Sequence, residues 1–227
     1  MKTRPSAFAL FEILVVTAIA AVLVVLGFSI SGRVREHSAS VQCMSHLRQL
    51  GQAMYLFAQD HNGTLPPILE TNLPGPVFGK NVPSWGPTWA EYLVKIYLNG
   101  DKTMLLCPAR PATWGNPAGY YPDYAYNASF CPLDAATGLY VGMKLSVIRN
   151  PSHKILLADA GRLSGEVMVG GYYSMQTADR LFPRHAGSTV NVLYLDQHIE
   201  SHHYIQTGKL PPPGDPLGRH SFDPEAL

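Results

Sequence analysis

FALFEILVVTAIAAVLVVLGFSI, residues 8–30, decides how this chain is read. From Ile13 to Ile30 only Thr17 and Ser29 are polar and nothing is charged. A helix needs about 20 such residues to cross the hydrocarbon of a bilayer, so the run predicts a membrane-spanning helix. Glu12 stands at its front edge. A carboxylate deep in a bilayer costs up to roughly 3 kcal/mol, so its presence there asks for a functional reason. The segment before the run is short and basic through Lys2 and Arg4, and Arg33 and Arg35 follow it, so flanking charge alone does not orient the span.

Downstream of the span, helical character continues. Val34, Val41, Met44, Leu47, Leu50, Met54 and Phe57 recur at three- and four-residue spacing with polar residues between them. Gly63, with Pro66 and Pro67 beyond it, predicts a stop near Asp60. A helix from Phe8 to Asp60 would be about 80 Å long at 1.5 Å per residue.

The rest of the chain is short on helix signals. Gly and Pro number 20 and 19 in 227 residues, and charged residues are only 15%, a mix that fits short strands and long loops. The formal net charge of +1 leaves no electrostatic footprint for nucleic acid. Thr88 predicts the cap of a short helix over Trp89–Leu93. Leu105-Leu106-Cys107-Pro108 reads as a short strand ended by proline. Lys154–Asp159 and Thr189–Leu195 read as strands, with His198–Tyr204 the hairpin partner of the second across Asp196 and Gln197. The aromatic residues Trp114 and Tyr120 to Tyr126 suit either a ligand groove or the plugging of a small core, and packing is the stronger reading.

Chemistry-bearing residues are sparse. Asp159, His185, Asp196 and His198 are of metal-ligand type, but no helical His pair or Cys-x2-Cys frames them. Hydrogen bonds from His185 and Asp196 to loop backbone are the stronger reading, with a structural calcium or another metal as the weaker one. No nucleophile, acid–base pair or phosphate loop is apparent, so an enzyme is not expected.

Phe8-Ala9-Leu10-Phe11-Glu12 before the apolar run resembles the signal of type IV pilins and type II secretion pseudopilins. The resemblance implies cleavage between Ala7 and Phe8 by a prepilin peptidase, methylation of Phe8, and a role for Glu12 in assembly. Ala7 stands where the family usually has glycine. An ordinary signal peptide would instead be cut near Ser29-Ile30-Ser31. Cys43 to Gly51, Cys107-Pro108, Ile155 to Asp159 and the pair His185 and Asp196 resemble prepilin-like proteins carrying a His-x9-Asp-Gly signature. Here ten residues separate His185 from Asp196, and Gln197 replaces the glycine, which argues against a positive-φ turn at that point.

The resemblance implies a pilin-like α+β fold: a long N-terminal helix, part transmembrane and part amphipathic, on a small antiparallel sheet with long loops. The expected organisation is a leader at 1–7, a transmembrane half at 8–30, an amphipathic half at 31–62, a globular domain at 63–210 and a Pro-rich tail at 211–227. The implied N-terminus is cytoplasmic and the globular part lies outside the inner membrane, where disulfides are permitted. Three cysteines allow one intramolecular bond at most. Cys43–Cys107 is favoured by the motif and by the expected strand, Cys107–Cys131 comes second, and three buried free thiols remain the alternative. The function implied is that of a pseudopilin or minor pilin whose partners are other subunits and the prepilin peptidase. A membrane-anchored binding protein with an aromatic surface is the competing reading.

Overall fold

The computed structural model describes residues 7–69, 87–110, 122–164, 167–170, 174–175 and 180–203. The Pro-rich tail and the aromatic positions Trp114, Tyr120 and Tyr121 lie outside them. Two units divide the chain, Met1–Ser38 and Ala39–Leu227. Helix α1 (Ala7–Asp60) begins in the first and ends in the second.

In the first unit α1 carries apolar side chains on every side. Phe11, Ile13, Leu14, Val16, Ile19 and Val22 are all exposed. Among the described residues no helix is long and apolar enough to cross a membrane. The side chains at 7–10, 26–31 and 33, which include the expected cleavage pair Ala7 and Phe8 and the end of the apolar run, are outside the described set.

In the second unit the helix is amphipathic. Cys43, Leu47, Leu50, Met54 and Phe57, spaced four and three apart, are buried and join the main core cluster. Full burial of each large aliphatic side chain stabilises by about 2 kcal/mol. The seam differs from the expected one at its start: Val34 and Val41 are exposed, and Cys43 takes the position that Val41 and Met44 flank. The helix stops as its sequence predicts. Asn62 and Gly63 both have positive φ, and Gly63 N–H returns to Ala58 O at 2.7 Å, occupying a carbonyl the last turn would otherwise orphan.

Helix α2 (Trp89–Tyr97) starts at Thr88 through a reciprocal capping box. The Thr88 hydroxyl accepts from Glu91 N, and the Glu91 carboxylate accepts from Thr88 N. Its face of Trp89, Leu93 and Val94 is buried in the same core as the seam of α1.

Seven strands follow: β1 (Tyr124–Asn127), β2 (Ile155–Asp159), β3 (Arg162–Ser164), β4 (Val167–Gly170), β5 (Ser174–Met175), β6 (Thr189–Tyr194) and β7 (Ile199–His203). Five form one sheet in the order β5-β1-β2-β6-β7, and β3 pairs with β4 separately. The main sheet is mixed rather than antiparallel throughout, because β5 runs parallel to β1. β1 and β2 are buried along their whole length. One face carries Tyr124, Tyr126, Leu157 and Leu193 against the seam of α1 and α2, and the other buries Ala125, Ile155, Ala158, Val190 and Val192 in a second cluster. A register shift between Ile155 and Leu157 lets Leu156 and Leu157 both join the helix-side cluster, after which Asp159 also faces the helix side.

Two local expectations are corrected. Leu105 and Cys107 do not lie on a strand. A 3-10 turn covers Lys102–Leu105, and Asp101 caps it through Thr103 N at 2.9 Å, so Cys107 sits in the loop that follows. Gln197 has φ 76° in the β6–β7 turn, so the position where the signature carries glycine does need positive φ.

Candidate functional site

Asp159 ends β2 on the face toward α1, where Cys43 is the first buried residue of the helix among those described. Cys43 Sγ donates to Asp159 Oδ1 at 3.0 Å and lies 3.2 Å from the Tyr124 hydroxyl. His185, on the segment leading into β6, brings Nε2 to 3.1 Å from Asp159 Oδ2 and 3.6 Å from Cys107 Sγ. Cys43, Cys107, Asp159 and His185 are all buried, and one ligand atom from each lies within 4.8 Å of the others. Such a group can hold a metal ion.

The surroundings fix these side chains. Asn191 N donates to Asp159 Oδ2 at 2.8 Å. Cys107 N donates to Asp123 Oδ2 at 2.9 Å, and Asp123 is paired with Arg184 at 3.5 Å and Arg110 at 3.8 Å. The Arg184 guanidinium also donates to Ala160 O. All of these charges sit where an unpaired ion would be costly, so the pairs act as one network.

Ionisation within the group follows the same contacts. The hydrogen bond from Cys43 lowers the Cys107 thiol to about 6, against the effect of burial and with help from His185. Burial alone would lower His185, but hydrogen bonds to Asp159 and Cys107 raise it to about 9. Burial is the main cause that pushes the Cys43 thiol up. The Cys107 and His185 shifts both run in the direction that favours an ion pair between the two.

A cysteine–histidine–aspartate relay does not form. It would need the two ring nitrogens of His185 to face different partners. Here Nε2 faces both Asp159 and Cys107, while Nδ1 has no hydrogen-bond partner among the described residues.

The other metal-type residues lie elsewhere. Asp196 and His198 pair with each other at 2.5 Å at the β6–β7 turn, where both are about one-third exposed. His198 stacks on Tyr194 at 4.3 Å between ring centroids, and His202 Nε2 lies 2.9 Å from the Tyr194 hydroxyl. His185 and Asp196 thus act in different places, and His185 binds side chains in addition to the paired backbone of Thr189. All three cysteines are free and buried. The favoured pair, Cys43 and Cys107, comes together inside the cluster, whereas Cys131 donates to Pro66 O at 3.3 Å. Tyr124 and Tyr126 are fully buried, so neither can line an aromatic ligand surface. A separate open groove of ≈ 350 Å³ is lined by Phe57, His61, Leu65, Pro67, Tyr140 and Val141.

Sequence reasoning reached Asp159 and His185 as ligand types and Cys43 with Cys107 as a pair, but did not join them. No family model matches the chain, and no curated protein or solved structure matches it either.

Proposed function

We propose that this chain is a pilin-like structural subunit, a pseudopilin or minor pilin, anchored in the inner membrane and polymerised through the first part of α1. One observation carries the reading: α1 makes two different burial demands along its length. Ile13, Leu14, Val15 and Val16 are consecutive and so point to all sides of the helix, and each is exposed. A helix that is apolar all round needs cover all round, from lipid or from other helices. From Cys43 onward the helix has a single apolar seam, which its own sheet already covers. Bilayer and neighbouring subunits together are what the first unit lacks.

Glu12 fits that reading and no simple anchor. Phe8 and Glu12 are four residues apart and share a helix face. The carboxylate can neutralise the free ammonium that cleavage after Ala7 would create on the Phe8 of a neighbouring subunit. The partners are then other subunits of a secretion or pilus filament and the prepilin peptidase that cleaves and methylates. A membrane-anchored binding protein loses support because Tyr124 and Tyr126 are packed inside.

Mass spectrometry of the mature chain from its native host tests the reading. The expected product starts at N-methylated Phe8. A product starting near Ile30 or Gly32, or one retaining Met1, would overturn it. Glu12→Ala adds a second readout: membrane insertion persists, since a charge is removed from an apolar helix, while incorporation into filaments falls. Glu12→Gln should be intermediate at best.

A further inference from the structure

The geometry points to a structural zinc site formed by Cys43, Cys107, Asp159 and His185, a clip that ties the buried part of α1 to the sheet. The donor set decides the class of ion. Two sulfurs and an imidazole suit a borderline-soft divalent cation, and calcium would ask for six to eight oxygens, so of the expected metals calcium is the one this group does not fit.

Two edges of the group have the spacing of a zinc tetrahedron, and all its ligand atoms lie within 4.8 Å of one another. Zinc bonds of about 2.3 Å to sulfur and 2.0 Å to nitrogen and oxygen put sulfur and nitrogen about 3.5 Å apart, and nitrogen and oxygen about 3.3 Å apart. Cys107 Sγ and His185 Nε2 are 3.6 Å apart, and His185 Nε2 and Asp159 Oδ2 are 3.1 Å apart. Cys43 Sγ is hydrogen-bonded at 3.0 Å to the other carboxylate oxygen, Asp159 Oδ1, so that contact is not an edge of the same tetrahedron. Four-coordination through Oδ2 requires Cys43 to give up that hydrogen bond and turn its sulfur toward the ion.

Three of the four ligands have outer contacts of the kind a metal site needs, while Nδ1 of His185 has no partner among the described residues. Asn191 N holds Asp159 Oδ2 in place, and Asp123 holds the backbone of Cys107. Tyr124 sits at 3.2 Å from Cys43 Sγ and can donate to a thiolate there. A disulfide between Cys43 and Cys107 would use only two of the four converging donors. Zinc uses all four, and on binding it displaces two protons to solvent, one from Cys43 and one from the Cys107–His185 pair. No oxidant is required. The ligands come from segments far apart in the chain, Cys43 and Asp159 being separated by 116 positions and Cys107 and His185 by 78. All four are buried, so the ion enters as the unit folds.

The site does not depend on the pilin reading, because every ligand lies in the Ala39–Leu227 unit. Full-length chain, purified in detergent and given one equivalent of zinc, should retain about one ion per chain by elemental analysis after desalting. Cobalt(II) in its place should give the thiolate charge-transfer absorption of a tetrahedral site. Cys43→Ser, Cys107→Ser and His185→Asn should each abolish that absorption and reduce retained zinc at least about tenfold. Cys131→Ser should change neither. Alkylation of Cys43 and Cys107 should be blocked until a chelator is added. A wild-type chain that retains less than about a tenth of an ion, or that carries a Cys43–Cys107 disulfide as isolated, overturns the proposal. If a ligand variant fails to fold, the wild-type cobalt spectrum decides alone: absence of the thiolate band rejects the site.

Discussion

Gly142 is the position where one added methyl group should do most harm. It lies beside the segment that follows α1, and a Cβ built on it would sit 1.7 Å from Leu65 O and 2.7 Å from Leu65 C. Both atoms are backbone, so no side chain can swing aside. Reaching even 3.0 Å, below which real Cβ contacts essentially never occur, needs the two segments to part by 1.3 Å. That movement breaks what joins them. Leu65 N donates to Met143 O at 2.9 Å, and Leu145 N donates to Gly63 O at 2.8 Å. Stretched by that much, both exceed hydrogen-bond range. Each donor left unpaired near the core costs about 1–3 kcal/mol, and the restricted unfolded chain of alanine returns at most about 1 kcal/mol. Gly142→Ala should therefore cost about 2–4 kcal/mol, a large share of an ordinary domain's stability.

Urea unfolding of the full chain in detergent, followed through the fluorescence of buried Trp89, measures the effect. With a slope of about 2 kcal/mol per molar urea, the midpoint should fall by about 1–2 M. Gly138→Ala is the control. It has positive φ but open space around its Cβ, so it tests turn strain alone, at about 1 kcal/mol. If Gly142→Ala shifts the midpoint by no more than Gly138→Ala does, the contact with Leu65 is not as close as described and the reasoning fails.

Other variants test other joints. Gly51→Ala puts a Cβ 2.5 Å from Leu193 Cδ2 and 2.6 Å from Gln197 Oε1, both ends of flexible side chains, so overpacking partly offset by better helix propensity should cost about 1 kcal/mol in the same unfolding assay. Gln197→Gly should raise stability by about 1 kcal/mol, because it removes positive-φ strain and a buried amide with no partner among the described residues, and in the double variant with Gly51→Ala the two effects should fail to add. Thr88→Ala removes the capping box of α2 and should cost about 1 kcal/mol, with Thr88→Ser near neutral. Leu50→Ala empties a fully buried seam position and should cost 2–5 kcal/mol; a loss below about 1 kcal/mol would mean that α1 is not packed as described.

The elements legible in the sequence are those whose signal is local and unopposed. The seam from Leu47 to Phe57, the stop at Gly63, the cap at Thr88 and strands β2, β6 and β7 each follow from a few neighbouring residues. Elements with competing local signals were misread. Leu105-Leu106 before Cys107-Pro108 looks like strand by hydropathy, yet Asp101 two residues before Thr103 is a turn signal, and the turn wins because its cap is satisfied at 2.9 Å. β1 hides in an aromatic run whose alternation is the real cue: Tyr124 and Tyr126 face the helices and Ala125 faces the second cluster. At Gln197 the side chain argues for one backbone and the hairpin imposes another, since Tyr194 N bonds His198 O at 2.9 Å and Gln197 N bonds Tyr194 O at 3.0 Å. All four cluster residues stand in segments of the prepilin-like resemblance, but no local ligand spacing marks them, because they come from four separate segments that only tertiary structure brings together.

What sets those four residues apart is that packing does not ask for them. Cys43 opens a seam whose later positions, Leu47, Leu50, Met54 and Phe57, are hydrocarbon, and Asp159 closes a strand that is otherwise Ile, Leu, Leu and Ala. Apolar residues in all four places would avoid the desolvation of a carboxylate and an imidazole and would stabilise as well or better. The polar set sits where α1 first becomes buried, at the start of the contact between helix and sheet. Helix ends and entry points are where packed elements fray first, because each has neighbours on one side only. A bond network placed there resists peeling of the helix from the sheet at the point where peeling would begin. Under the proposed filament role that is the joint that would bear load, and the proposed ion, bound by four segments, would hold it without lengthening the seam.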